Sequence, residues 1–135
     1  MAGYAKTPLF KKLGIKPGFT LCVLNPPADY LTLIAPLPTG VTVRRRLAPD
    51  LDMIHFFSKS RAELAESIGK LVAHIKQDGM IWISWPKKAS RVPTDVTEDV
   101  IRAIVLPLGL VDVKVCAVDA TWSGLKIVIR KENRV

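Results

Sequence analysis

Residue types that usually mark a reaction centre are few in this sequence. It has two histidines and two cysteines in 135 residues. Cys22 and Cys116 stand in apolar, strand-like runs, with neither a CxxC motif nor the close spacing of a metal knuckle. Each reads as a reduced thiol packed in a strand, since free cysteine behaves as a small core hydrophobe. Around His55 no second His, Cys or carboxylate falls at the spacing of a triad or a metal site, and His74, beside the apolar stripe of a helix, reads as structural. No catalytic residue, metal ligand or cofactor is therefore expected. Long hydrophobic runs are also missing, and none approaches the roughly 18–20 residues of a membrane span. Residues 1–16 contain no apolar core followed by a small-residue cleavage site, so no secretory signal is read. The expected compartment is the cytoplasm, with no membrane partner. Internal repeats, linkers and low-complexity stretches are likewise absent.

Hydrophobic residues make up 49% of the chain, enough to bury a core within one domain spanning 1–135. Acidic residues number 12 against 20 basic ones, a formal net charge of +8. That balance permits acidic partners such as nucleotides or RNA without requiring them. The basic residues form short groups: Lys11-Lys12, Arg44-Arg45-Arg46, Lys87-Lys88 and the tail Arg130, Lys131, Arg134. A solvated surface is the plain account of most of them.

Hydrophobic patterning alternates between strand and helix. Residues 7–13 are short and amphipathic, and Lys16-Pro17-Gly18 forms a turn. Residues 19–24 (FTLCVL) are continuously apolar and predict a buried strand ending at Asn25-Pro26-Pro27. A short helix is predicted over 28–35 and strands over 41–45 and 52–57. Ser60 and Glu63 form a capping box ahead of Leu64, Ile68, Leu71, Val72 and Ile75, and Gly79 is the expected left-handed stop. Residues 80–85 (MIWISW) predict a further strand. Asp95 with Glu98 predicts the cap of a helix closed by Gly109, and strands follow over 111–118 and 125–130. The short connection between those last strands predicts an antiparallel hairpin. The fold class is α/β: a three-layer, Rossmann-like, mostly parallel sheet with a C-terminal antiparallel hairpin.

Three segments carry a resemblance: Thr7-Pro8-Leu9 with Lys11-Lys12-Leu13-Gly14-Ile15-Lys16-Pro17-Gly18, then Ser84-Trp85-Pro86-Lys87-Lys88, then Thr121-Trp122-Ser123-Gly124-Leu125-Lys126. Through them the chain resembles a domain-of-unknown-function family of small bacterial proteins, which implies no activity. A more distant resemblance concerns the fold. Lys16-Pro17-Gly18 before an apolar strand, Asp78-Gly79 before residues 80–84, and the closing strand pair are similar to the class I methyltransferase core. Residues between Val43 and Asp52 leave no room for the helix, strand and helix of a complete core, which implies a shortened version. In that family the turn after the first strand is glycine-rich and holds the methyl donor. Here the turn is Asn25-Pro26-Pro27-Ala28-Asp29, with no glycine and two residues that lack an N–H. Asn25-Pro26-Pro27 also resembles the Asn-Pro-Pro of amino-methylating enzymes. There an aromatic residue follows directly, whereas here Ala28 does, and the motif follows the wrong strand. A rigid strand-to-helix turn is the simpler reading.

Ligands of open α/β sheets bind beyond the carboxyl ends of the parallel strands. Asn25, Phe57, Ser58 and Trp85 are expected at that edge. Lys87, Lys88 and Arg91 follow the fourth of these strands, and Asp119, Trp122 and Ser123 belong to the hairpin. Two ammonium groups beside an indole suit a flat, anionic ligand. The candidate ligand-binding residues are Asn25, His55, Trp85, Lys87, Lys88, Trp122 and Ser123. For His55 the competing reading is a hydrogen-bonded, partly buried side chain. For the tryptophans it is loop anchoring in the core beneath solvated lysines. The expected function is non-catalytic recognition of an anionic ligand, a phosphate-bearing small molecule such as a nucleotide, or RNA, at the carboxyl edge. The alternative is a reduced methyltransferase-like enzyme, and a protein partner is the third class.

Overall fold

The computed structural model describes residues 7–135. Residues 1–6, which open both the stretch read for a secretory signal and the expected 1–135 domain, lie outside the described residues. The apolar run after Gly18 becomes β1 (Thr20–Leu24), buried at its three central residues. It follows the short helix α1 (Leu9–Leu13) and leads into α2 (Tyr30–Leu33). β2 (Thr42–Arg44) and β3 (Leu51–Phe57) come next, then α3 (Arg61–His74) and β4 (Ile75–Pro86). α4 (Glu98–Val105) precedes the closing pair β5 (Leu110–Ala117) and β6 (Trp122–Ile129).

These strands form one six-stranded sheet in the order β2-β1-β3-β4-β6-β5. β2, β1, β3 and β4 are parallel, and β6 is antiparallel to both β4 and β5. β5 therefore runs with the parallel set, and only β6 opposes it. Consequently the β5–β6 turn sits at the same edge as the carboxyl ends of β1, β3 and β4.

Side-chain alternation sends alternate residues of each strand to opposite faces. Ile54, Phe56, Ile81 and Ile83 pack against Leu64, Ile68 and Leu71 of α3 and Ile101 and Val105 of α4. On the other face Leu21, Val23, Met53 and Trp82 meet Leu13 of α1, Tyr30 of α2 and Ile34 just after it. The result is the three-layer, mostly parallel arrangement with a C-terminal antiparallel pair. No helix among the described residues is long and apolar enough to cross a membrane.

Several local expectations are corrected. α3 ends at His74, not at Gly79, because Ile75 at its end is already extended (φ −96°, ψ 155°). Gly79 lies within β4, where the register slips between Leu51↔Ile75 and Met53↔Met80. A Cβ on Gly79 would stand 3.1 Å from the Leu51 carbonyl oxygen, so glycine there serves close backbone approach. Asp95 does not cap α4. Thr97 does, its hydroxyl accepting from the Val100 N–H at 3.2 Å. The Asp95 carboxylate instead accepts from the Arg61 N–H at 2.7 Å and so caps α3. Gly109 does take the left-handed conformation (φ 81°) after α4 and a short 3₁₀ turn. Cys22 is buried, whereas Cys116 on the edge strand is only half-buried.

Candidate functional site

β1 ends in a backbone feature at the carboxyl edge. Asn25 has φ 56°, the left-handed region that asparagine tolerates better than most side chains. Its Nδ2 donates to the Phe57 carbonyl at 3.2 Å, tying the ends of β1 and β3 together. Pro26 and Pro27 follow with no N–H to offer, and the Pro27 carbonyl accepts from the Tyr30 N–H at 3.1 Å.

Across from this turn, residues 58–60 carry β3 into α3. Ser60 Oγ accepts from the Glu63 N–H at 3.1 Å, as a capping box requires. The return half runs through Ser58. Its hydroxyl donates to the Glu63 carboxylate at 2.8 Å and accepts from the Ser60 N–H at 3.2 Å. Trp122 supplies a third wall, its ring meeting Phe57 edge-on at 5.1 Å. Asn25, Phe57, Ser60, Glu63 and Trp122, together with Pro26, Pro27 and Lys59, bound a cleft of about 630 Å³, within the usual range of small-molecule sites.

Beneath the cleft runs a buried polar relay. The Tyr30 hydroxyl lies 2.8 Å from His55 Nδ1, and His55 Nε2 lies 2.7 Å from Ser84 Oγ. One ring nitrogen donates and the other accepts, so a neutral imidazole satisfies both neighbours. His55 is completely buried, and burial lowers its pKa to about 3. Burial likewise pushes the Tyr30 hydroxyl above its ordinary range. The His55 ring stacks on Phe57 at 4.3 Å, so an aromatic column joins the relay to the cleft floor.

The remaining candidates separate. Lys87 joins the hairpin: its N–H donates to the Thr121 carbonyl and its ammonium to the Asp119 carbonyl, both at 2.7 Å. Asp119 orders the same turn by accepting from the N–H groups of Thr121 and Trp122 at 2.8 and 2.7 Å. Trp85, by contrast, packs in the α3–α4 core. With exposed Lys88 and Arg91 it borders a separate hollow of about 420 Å³. Ser123 pairs with Trp85 across the β4–β6 ladder. The structure thus brings Asn25 and Trp122 to one cleft, holds His55 below it, uses Lys87 beside it, and places Trp85 and Lys88 elsewhere.

Sequence reasoning missed Lys59, Glu63 and Tyr30. Lys59 and Glu63 had a usable signal, since the capping box at Ser60 directly follows a strand at the ligand-bearing edge. Cations accumulate at this edge. Arg44 ends β2 with Arg45 and Arg46 following, Lys59 follows β3, and Lys88 and Arg91 follow β4, all of them exposed. The ion pairs among the described residues involve only Lys76 and Arg102 as cations.

No family model and no curated protein matches the chain. Solved structures do. A SAM dependent methyltransferase from Aquifex aeolicus is 15% identical over 90% of this chain and 88% of its own, with a TM-score of 0.66. The fold is methyltransferase-like. Magnesium protoporphyrin IX methyltransferase from Synechocystis, solved with bound SAM, superposes with a TM-score of 0.61 at 12% identity, over 90% of this chain and 74% of its own. A putative type 11 methyltransferase from Sulfolobus solfataricus gives 0.60 at 14% identity, over 84% and 86% of the two chains. At these identities the likeness is one of fold, and fold does not fix chemistry.

Proposed function

We propose that this chain is a non-catalytic binding domain on a methyltransferase-like fold. It takes a flat, phosphate-bearing ligand, a nucleotide or RNA, in the cleft between Asn25, Phe57 and Trp122. The observation that carries the reading is the half-exposed indole of Trp122, braced edge-on by buried Phe57 in a cleft that Lys59 also lines. An aromatic wall accepts the face of a base, and unpaired cations accept phosphate. Lys59 lines the cleft itself, Lys87 holds the hairpin that presents Trp122, and Lys88 is an outlying cation. Titration with mononucleotides, followed by tryptophan fluorescence, tests this. Saturable quenching that is lost in Trp122→Leu and weakened in Lys59→Gln is the expected result. Absence of any saturable change, or equal binding by Trp122→Leu, refutes it.

The second reading, a methyltransferase-like enzyme, is favoured by the likeness to a SAM-bound structure. A donor held by backbone amides at the first turn does not fit these residues. Pro26 and Pro27 have no N–H to offer, and the Asn25 side-chain amide is held by the Phe57 carbonyl. Calorimetric titration with S-adenosylmethionine separates the two readings. A dissociation constant below roughly 50 μM, about 6 kcal/mol of binding, favours the enzyme.

A further inference from the structure

A second group of cations lies on the face of the sheet that carries Trp122. Along β6, residues 122, 124 and 126 point to one side. Trp122 packs against the α1–α2 core, and a Cβ on Gly124 would meet Trp82 of that core at 3.2 Å. Lys126 therefore belongs to this face. Lys114 of β5 is its direct cross-strand partner. Lys12 stands in α1 one turn before Lys16, and Lys16, in the turn after α1, borders the same hollow as Lys126. Their charges reach Cys116 and Lys126 respectively, and Lys114 acts on both.

The arrangement is costly by itself. Like charges directly opposite on neighbouring strands repel. Among the described residues none of these four lysines forms an ion pair. Lys126 is half-buried, which adds to the cost, and its ammonium is held below its ordinary pKa by burial first and by Lys114 and Lys16 next. The acids bordering the same hollow as Lys16 and Lys126 are Asp52 and Asp78. Asp52 is already engaged by the Thr20 N–H and the Lys76 ammonium, each at 2.8 Å. A lysine on an exposed edge strand discourages strand addition, which accounts for Lys114. Lys126 lies on an interior strand, where that reason does not apply. A bound polyanion accounts for both.

We propose that this face binds single-stranded nucleic acid, with phosphates passing over Lys12, Lys16, Lys114 and Lys126. Trp122 stands four residues before Lys126 on the same side of β6, about 13 Å at about 3.3 Å per residue. One strand can therefore place a base at Trp122 and continue over the lysines. The stacking part rests on the cleft reading above, and the charge part stands without it. An anionic membrane surface is the competing polyanion, but it offers no flat ring to the Trp122 end of the track.

The test is fluorescence anisotropy with a labelled 12-nucleotide RNA across a salt series. It uses wild type, Lys114→Gln/Lys126→Gln, and a control of equal charge change, Lys70→Gln/Lys131→Gln. Mononucleotide titration and sedimentation with phosphatidylserine-containing vesicles run alongside. Four lysine contacts predict a loss of affinity of about 50-fold between 50 and 200 mM salt, and two contacts a loss of about 7-fold. The Lys114→Gln/Lys126→Gln protein is expected to show the shallower slope and the control the wild-type slope. Lys114→Arg/Lys126→Arg is expected to restore binding, and thermal melts confirm that each variant is folded. RNA binding that depends on Lys114 and Lys126 without mononucleotide binding upholds the track and overturns the cleft reading. Mononucleotide binding with an RNA slope unchanged by the double substitution upholds the cleft and overturns the track. Vesicle binding without RNA binding overturns the nucleic-acid assignment.

Discussion

Lowering the pH should destabilise this protein well before its carboxylates protonate, and His55 is the reason. In the unfolded chain His55 takes a proton near pH 6.5, whereas in the folded chain burial keeps it neutral down to about pH 3. Between those values the unfolded state holds the extra proton, so stability falls as pH falls. The contribution is intact above pH 6.5 and fully lost near pH 3. Linkage gives a loss of about 2 kcal/mol between pH 7 and pH 5, a large share of a typical 5–15 kcal/mol. Asp112 titrates in a different window. Its hydrogen bond from Arg102 holds it below its ordinary 3.8, so its contribution is lost only below that value. Urea denaturation at pH 7.0 and 5.0, followed by tryptophan fluorescence, should show the midpoint drop by about 1 M. The variant His55→Gln keeps a neutral hydrogen-bonding group but cannot charge. It should be less stable at pH 7 by about 1–3 kcal/mol, through imperfect pairing with Tyr30 and Ser84. Its midpoint should barely move between the two pH values. An equal fall in wild type and His55→Gln, or no fall in wild type, refutes the argument.

Asp95→Ala should cost about 1 kcal/mol by uncapping α3, and amide exchange should quicken at Arg61 and not at Val100. An unchanged denaturation midpoint contradicts that cap. Gly124→Ala places a Cβ 3.1 Å from Ser84 Oγ and 3.2 Å from Trp82 Cε3. Overpacking beside the relay should cost about 1–3 kcal/mol, and a wild-type melting temperature counts against the packing described. Lys87→Met removes the ammonium that holds the Asp119 carbonyl. Exchange at residues 119–121 should quicken while the β4 amides stay protected, and uniform protection would show that the staple is unimportant.

Most of the architecture was legible because strand and helix periods alternate cleanly along the chain. Runs such as FTLCVL and MIWISW are apolar at successive positions, which suits strands covered on both faces. Boundaries were less legible, since they depend on partners distant in sequence. Gly79 looks like a helix stop until β3 is beside it, when the Leu51 carbonyl at 3.1 Å from a Cβ position shows why no side chain fits. Asp95 has the right spacing to cap α4, yet its carboxylate reaches Arg61, 34 residues earlier. A capping pattern identifies a residue able to accept an N–H bond, and the tertiary fold decides which helix donates it.

The site divides along the same line. Asn25 and Trp122 could be placed at the carboxyl edge from topology alone, because one ends a parallel strand and the other starts a strand after a short turn. A hydrogen-bonded, partly buried His55 was legible as the competing reading, but its partners Tyr30 and Ser84, 25 and 29 residues away, were not. Nor was the separation of the two tryptophans. Trp122 pairs with Pro86 and Trp85 with Ser123, a difference of one residue along the ladder. In a sheet, one residue reverses the face on which a side chain stands. Trp85 therefore enters the α3–α4 core while Trp122 turns to the opposite face, and the two indoles cannot stack on one ligand. Residues 122 and 126 are an even number apart on β6, so Trp122 and Lys126 share that opposite face while Trp85 does not.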